Sequence, residues 1–264
     1  MLLRPARPED HVALARLFVE LNTGDPPPDL ARILDWLPGL AVAEGPGGEL
    51  WGYRYTERLD GLGYVRQLVV APEQRDRGLG RRLMLDYAAE LRASGVHRWC
   101  LNVRSHNARA LHLYQQLGLR PVYAGWVLQL PWCLLPEPAI SRVRRVTEDE
   151  ATELEERLNL RPGLVHRHLQ IPSRRVCVID DGRVLGYTSF DVFFCGAFPF
   201  VAPDLGVAAE LVWACRAFAR GGSPVLRVVV ERVEAQAELL LSVGATLRYG
   251  LSHMEGDVPP EGQR

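Results

Sequence analysis

The run Leu68-Val69-Val70-Ala71-Pro72-Glu73-Gln74-Arg75-Asp76-Arg77-Gly78-Leu79-Gly80-Arg81 decides how this chain reads. An apolar, β-branched stretch stops at Pro72, an Arg/Gly turn follows, and Leu79, Leu83, Tyr87 and Leu91 then recur at helical spacing. A strand therefore enters a helix through a turn whose glycines let backbone N–H groups crowd an anion without Cβ interference. The helix start adds amides that lack intrahelical acceptors, at the positive end of the dipole. Arg75, Arg77 and Arg81 supply counter-charge, so the turn reads as a pyrophosphate cradle; the plainer reading is a surface turn capping a helix. A P-loop is excluded because it needs Gly-Lys-Ser/Thr and the chain has no lysine. The dinucleotide fingerprint fails because Leu83 stands at its third glycine. What remains is R-x-x-G-x-G, Arg75 to Gly80.

The length of 264 residues accommodates two domains of about 130 residues. A net charge of −1 gives no bulk field for nucleic acid or an anionic membrane. Five cysteines, odd in number and without a C-x-x-C pair, favour a reducing cytoplasm over a disulfide framework. The first ten residues lack an apolar signal core, and no later stretch approaches a membrane span. The expectation is a soluble, cytoplasmic protein, monomeric or homodimeric, without nucleic-acid or membrane partners. His166 and His168 have no companions that suggest a metal, and they read as loop or surface.

Residues 131–141 carry three prolines and read as a linker. The halves on either side look alike. Gly48-Glu49-Leu50-Trp51-Gly52-Tyr53 parallels Gly182-Arg183-Val184-Leu185-Gly186-Tyr187, and Val70-Ala71-Pro72 recurs as Val201-Ala202-Pro203. Leu117-Gly118 recurs as Val243-Gly244 in the same order, so the chain reads as a tandem duplication. Within the first half the patterns predict strands at 2–6, 39–44, 50–59, 62–70, 97–103 and within 120–130. Helices are predicted at 9–21, 29–36, 79–94 and 107–117. The mixture suggests an α/β sandwich with helices on both faces of one sheet.

Asn107, Ala110 and Tyr114 lie at i, i+3 and i+7 of the helix after strand 97–103, so at about 100° per residue Asn107 and Tyr114 share a face. One reading makes Asn107 an N-cap and Tyr114 a core aromatic. The other makes the stripe a ligand groove, in which Asn107 offers an amide and Tyr114 a proton.

Taken together, the R-x-x-G-x-G turn after an apolar strand and the following strand–Asn-x-x-Ala-x-x-x-Tyr–x-x-x-Gly resemble the GNAT superfamily of N-acetyltransferases. The resemblance covers residues 1–130, and residues 142–257 resemble a second, degraded copy. It implies an α/β (α+β) chain of two tandem GNAT-like domains, each a mixed, mostly antiparallel twisted sheet with helices on both faces. It implies acetyl-CoA as co-substrate, with no metal. The turn Arg75, Asp76, Arg77, Gly78, Leu79, Gly80, Arg81 would hold the pyrophosphate. The backbone of Leu68, Val69 and Val70 would pair with the pantetheine amides, as an added strand does. Asn107 would contact the pantetheine arm, and the Tyr114 phenol would protonate the departing thiolate. Arg104, Arg109 and Arg82 are all candidates for the 3′-phosphate.

The general base is open. Relatives that acetylate ribosomal-protein N-termini place a Glu where this chain has Asn102, and Tyr64-Val65-Arg66-Gln67 offers no acid. Glu57, Asp60, Glu20, His106 or a water chain would substitute, although the default for each side chain is a solvated surface position. The loop 21–28, with Asp25, would border the acceptor.

In the second half the Arg-rich turn is missing: Val201-Ala202-Pro203 leads directly to Asp204-Leu205-Gly206-Val207. Asn107, Ala110 and Tyr114 correspond to Val233, Gln236 and Leu240. That half is expected not to bind CoA productively, and to serve a structural or acceptor-site role. The reading that follows is acetyl transfer to a primary amine of a small molecule. The alternatives are transfer to a peptide or protein N-terminus and a non-catalytic acyl-CoA-binding sensor.

Overall fold

A computed structural model describes residues 1–180, 183–219 and 223–262. Gly182, part of the repeat above, lies outside the described residues. The chain divides into two compact units. The first holds Met1–Val103, Asn107–Val122 and the residues from Met254 onward; the second holds Arg104–His106 and Tyr123–His253.

The first unit is built from β1 (Leu2–Pro5), α1 (His11–Phe18), α2 (Leu30–Trp36), β2 (Leu40–Glu44), β3 (Leu50–Leu59), β4 (Leu62–Val70), α3 (Leu79–Ala93), β5 (Arg98–Arg104) and α4 (Ala108–Gln116). β1 to β4 pair antiparallel in chain order, and β5 joins β4 in parallel. The helix predicted at 9–21 is α1 with a 3-10 turn at each end, and Asn22 in the left-handed region (φ 51°) ends it. α3 lies on the Gly52/Arg54 face of β3, where a Cβ on Gly52 would sit 3.5 Å from Leu83. On that face the buried Arg54 guanidinium bonds Asp86 at 2.8 Å and lies over the Tyr87 ring. α1 and α2 cover the opposite face, where Trp36 stacks on Tyr55 at 5.0 Å.

The domain boundary differs from the one expected at residue 130. From Tyr123 onward, β6 (Arg120–Pro131) belongs to the second unit, where Gly125–Pro131 pairs antiparallel with β11 (Val225–Glu231). Conversely, the end of β12 (Thr246–Asp257) completes the first unit. There Met254 is buried beside Tyr87, Leu91 and Trp99, Glu255 pairs with Arg98 at 2.6 Å, and the Val258 N–H bonds His97 O at 2.8 Å. Strand pairing is a long-range choice, and the local pattern of either strand does not encode its partner.

The second unit also contains β7 (Val143–Arg145), α5 (Ala151–Arg157), α6 (Leu164–Leu169), β8 (Arg174–Asp180), β9 (Val184–Asp191), β10 (Gly196–Val201), α7 (Leu205–Arg216) and α8 (Glu234–Ser242). β7 to β10 pair antiparallel, and β10 to β11 parallel. Residues 132–142 form no helix or strand. His168, expected in a loop or at the surface, is fully buried in α6 in a T-shaped contact with Phe198, because it shares the buried face of the helix with Leu164 and Val165. None of the five cysteines is in a disulfide. Among the described residues no helix is long and apolar enough to cross a membrane.

The second unit carries one buried charged cluster of particular consequence. Arg161 donates to Tyr123 Oη at 2.7 Å, to Glu231 at 2.8 Å and to His253 Nδ1 at 3.2 Å, and the His253 ring stacks on Tyr123 at 4.3 Å. Burial first, then the charges of Arg161 and Arg232, push the His253 pKa from 6.5 down to about 2. The unfolded chain takes up a proton near pH 6.5 that the folded chain refuses, so stability is fully present above that pH and falls below it. The slope attributable to this group approaches about 1.4 kcal/mol per pH unit. His253→Phe retains an aromatic ring against Tyr123 and removes the proton site. Urea unfolding just below pH 6.5 is expected to show a shallower slope in the variant, and an unchanged slope would refute the assignment.

Candidate active site

The first unit opens where β4 leaves β5. Their parallel ladder runs from Leu62↔Arg98 to Val65↔Leu101 and stops, although β4 continues to Val70 and β5 to Arg104. On the other side of β4 the register shifts between Tyr55↔Gln67 and Thr56↔Val65, which leaves Arg66 as an extra, bulged residue. A bulge bends its strand and increases its twist, so β4 turns away from β5 at this point.

Register parity then says which backbone groups face the gap. The Ala71 N–H bonds Trp51 O at 2.8 Å, so Trp51/Ala71 and Tyr53/Val69 are the hydrogen-bonded pairs. Leu68 and Val70 consequently direct their N–H and C=O away from β3, towards the gap. Val69, expected to contribute as well, has its polar groups turned to Tyr53 and its side chain buried, because successive residues of a strand alternate. The Val70 carbonyl accepts from Arg75 Nε at 3.2 Å.

Beyond β4 a 3-10 turn, Pro72–Gln74, leads into the glycine-rich segment. Asp76 (φ 62°) and Gly78 (φ 76°) are left-handed, and they fold the chain so that α3 starts at Leu79 with no side chain capping it. The first-turn amides of α3 therefore face outward, as the pyrophosphate reading requires. Leu79 is buried and anchors the helix, while Gly80 packs towards Leu113 of α4. The arginines differ from the expected uniform cradle. Arg75 is committed to the Val70 carbonyl and to Glu20 at 2.5 Å, which makes it a brace for the turn. Asp76 forms an exposed ion pair with Arg109 at the start of α4. Arg77 and Arg82 are exposed, and Arg81 is half-buried. Arg104 falls in the second unit, over the Tyr249 ring at 4.2 Å.

On α4, Asn107 Oδ1 accepts from the Ala110 N–H at 3.1 Å, so Asn107 is the N-cap. Its side-chain nitrogen points to no role in that cap and stays a donor. Tyr114 is buried with Val65, Met84, Val103 and Leu117, and desolvation raises its phenol pKa above the ordinary 10. Cap and core aromatic are thus both realised, on the two-turn stripe that sequence spacing predicts.

Of the candidate bases, Glu57 departs most from its expected surface position. It is 5% exposed. Its carboxylate accepts from Tyr55 Oη at 2.8 Å and lies 3.6 Å from Arg66 Nε. The bulge explains the burial: it brings Arg66 to the face of Tyr55 and Glu57, where the guanidinium covers the Tyr64 ring at 4.8 Å. Tyr64, opposite Glu57 in register, accepts from Asn102 Nδ2 at 3.2 Å, and Asn102 is the first β5 residue beyond the end of the ladder. The cluster therefore stands at the apex of the gap. The alternation Tyr53-x-Tyr55-x-Glu57 was the available sequence signal. Glu20 is engaged with Arg75, Asp60 is exposed in the β3–β4 turn, and His106 belongs to the second unit. Asp25 lies in a loop without regular structure.

Comparison with known proteins bears on the family and the fold. Residues 12–119 match the acetyltransferase (GNAT) family model. A mycothiol acetyltransferase of Tsukamurella paurometabola is 41% identical over 90 residues, a match spanning 30% of this chain and 30% of that protein. The chain thus spans under a third of the length of the curated relatives it matches. A GCN5-related N-acetyltransferase of Sphaerobacter thermophilus superposes with a TM-score of 0.66 at 20% identity, covering 98% of this chain and 96% of that one. A tandem GNAT protein from the clavulanic acid biosynthesis pathway superposes with a TM-score of 0.61 at 18% identity, covering 98% and 99%. At such identities these two superpositions establish the fold, a tandem of two such units. Residues 12–119 of the chain are thus similar to the GNAT acetyltransferase family.

Proposed function

We propose that the first unit transfers an acetyl group from acetyl-CoA to a primary amine of a small molecule, by direct attack of the amine on the thioester. The observation that carries this reading is the gap between β4 and β5, with Leu68 and Val70 facing it, the α3 N-terminus at one end and the Glu57 cluster at its apex. Acetyl-CoA supplies the activated acyl group. Leu68 offers both an N–H and a C=O to an extended amide-bearing arm, in the manner of an added strand. The α3 amides, with Arg77 and Arg81, hold a diphosphate, while Arg75 fixes the end of β4 against Glu20. Asn107 offers its side-chain N–H groups to the same arm. The Val70 N–H polarises a carbonyl oxygen lying in the gap.

Tyr114 stays protonated because its surroundings are apolar. The raised pKa makes it a hydrogen-bond donor to a developing thiolate and a weaker outright acid. Glu57 takes up the proton that the attacking amine must lose, at the apex where Tyr64 and Asn102 bridge the two strands. The relatives named mycothiol acetyltransferase support a small-molecule acceptor over a peptide terminus.

Thiol release measured across a panel of primary amines tests the reaction; tight CoA binding with no turnover on any amine would favour a sensor. Tyr114→Phe is expected to retain CoA affinity and lose about 100-fold in kcat. Turnover equal to the native protein would remove the phenol from the mechanism. Glu57→Gln preserves shape and is expected to lower kcat by about 100-fold with CoA affinity unaltered. A near-native kcat would transfer the base role to water.

A further inference from the structure

The second unit repeats the gap and then fills it. β10 and β11 pair at Gly196↔Arg227 and Ala197↔Val228, after which the ladder ends although β10 runs to Val201 and β11 to Glu231. The β9–β10 register shifts between Ala197 and Phe200, as the β3–β4 register shifts at Tyr55/Thr56. Tyr187↔Val201 and Thr188↔Phe200 stand where Tyr53↔Val69 and Arg54↔Leu68 stand in the first unit, so strand pairing matches Val201 with Val69, one residue before the Val70 that the sequence repeat matches with it. Phe200 is therefore the counterpart of Leu68, the residue whose polar backbone groups face the first gap.

Here the Phe200 carbonyl has an occupant. Gln236 on α8 donates from Nε2 to Phe200 O at 2.9 Å, and its side chain is buried. In the repeat Gln236 takes the place of Ala110, whose methyl group carries no hydrogen-bond donor. The helix start is filled as well. Asp204 Oδ1 accepts from the Val207 N–H at 2.8 Å and caps α7, whereas Gly78 caps α3 with no side chain.

We propose that the second unit keeps a groove for a pantetheine-type amide arm and that this chain's own Gln236 carboxamide occupies it, a proposal that rests on the reading of the first gap given above. The primary amide makes the N–H···O=C bond that a secondary amide of the arm makes in an added strand. A buried carbonyl is costly to leave unpaired, so the side chain is retained there. The Asp204 carboxylate independently places negative charge where a diphosphate would bind. The two exclusions are separable by chemistry: a phosphate-free arm meets only Gln236.

D-pantetheine therefore provides the test, with binding sites counted by calorimetry on the full chain. Gln236→Ala is expected to bind one more equivalent than the native protein, and equal counts overturn the proposal. The native count reports separately on the first unit: if the native chain binds no pantetheine, the reading of the first gap fails, while the difference between variant and native still decides the groove. Should the variant not fold, the native protein supplies a second readout. The Gln236 side-chain NH2 signals are expected to exchange slowly with solvent and to stay unshifted at saturating CoA. Fast exchange, or a CoA-dependent shift, overturns the assignment.

Discussion

The site proposed for the first unit depends on β4 being held by β3 to its end while releasing β5 at Val65. A sheet normally satisfies each strand on both sides. Here one extra residue, Arg66, twists β4 away, and Leu68 and Val70 keep their polar groups turned to a gap. Backbone groups in that position demand a partner, protein, water or ligand. The gap is thus a consequence of chain geometry before any side chain is considered, and the side chains that matter gather at its two ends.

At the turn, the internal ion pairs decide which charges remain for a ligand. Arg75 and Asp76 are both spent within the unit, on Glu20 and Val70 and on Arg109 respectively. They set the shape of the turn, and on the proposed reading its field comes from the α3 amides and the neighbouring arginines. At the apex the same bulge that opens the strands turns Arg66 onto the aromatic face, 3.6 Å from the buried Glu57 side chain. One backbone irregularity accounts for both the binding edge and the only deeply buried acid among the candidate bases.

The second unit shows that this scaffold can also satisfy itself. Its gap and bulge recur in the same register, yet the strand carbonyl is met by Gln236 and the helix start by Asp204. On the proposal made above, glutamine at the helix position that alanine holds in the first unit closes the strand edge, and Asp204 closes the helix start. The two units therefore differ in which partner fulfils identical backbone requirements.

The sequence by itself determined the elements of the first half, the repeat, the R-x-x-G-x-G turn and the Asn107/Tyr114 stripe. Each of these is written in local periodicity or in a backbone need that only certain residues meet, such as glycine at a left-handed φ. Tertiary structure alone decided that the end of β12 completes the first unit and that β6 joins the second, since strand partnership is made over long separations. It also decided that Glu57 and His168 are buried and that Arg75 is a brace. Burial and ion pairing depend on what other segments bring alongside, and no spacing within Tyr55–Glu57 or Glu73–Arg77 states that Arg66 or Glu20 will arrive there.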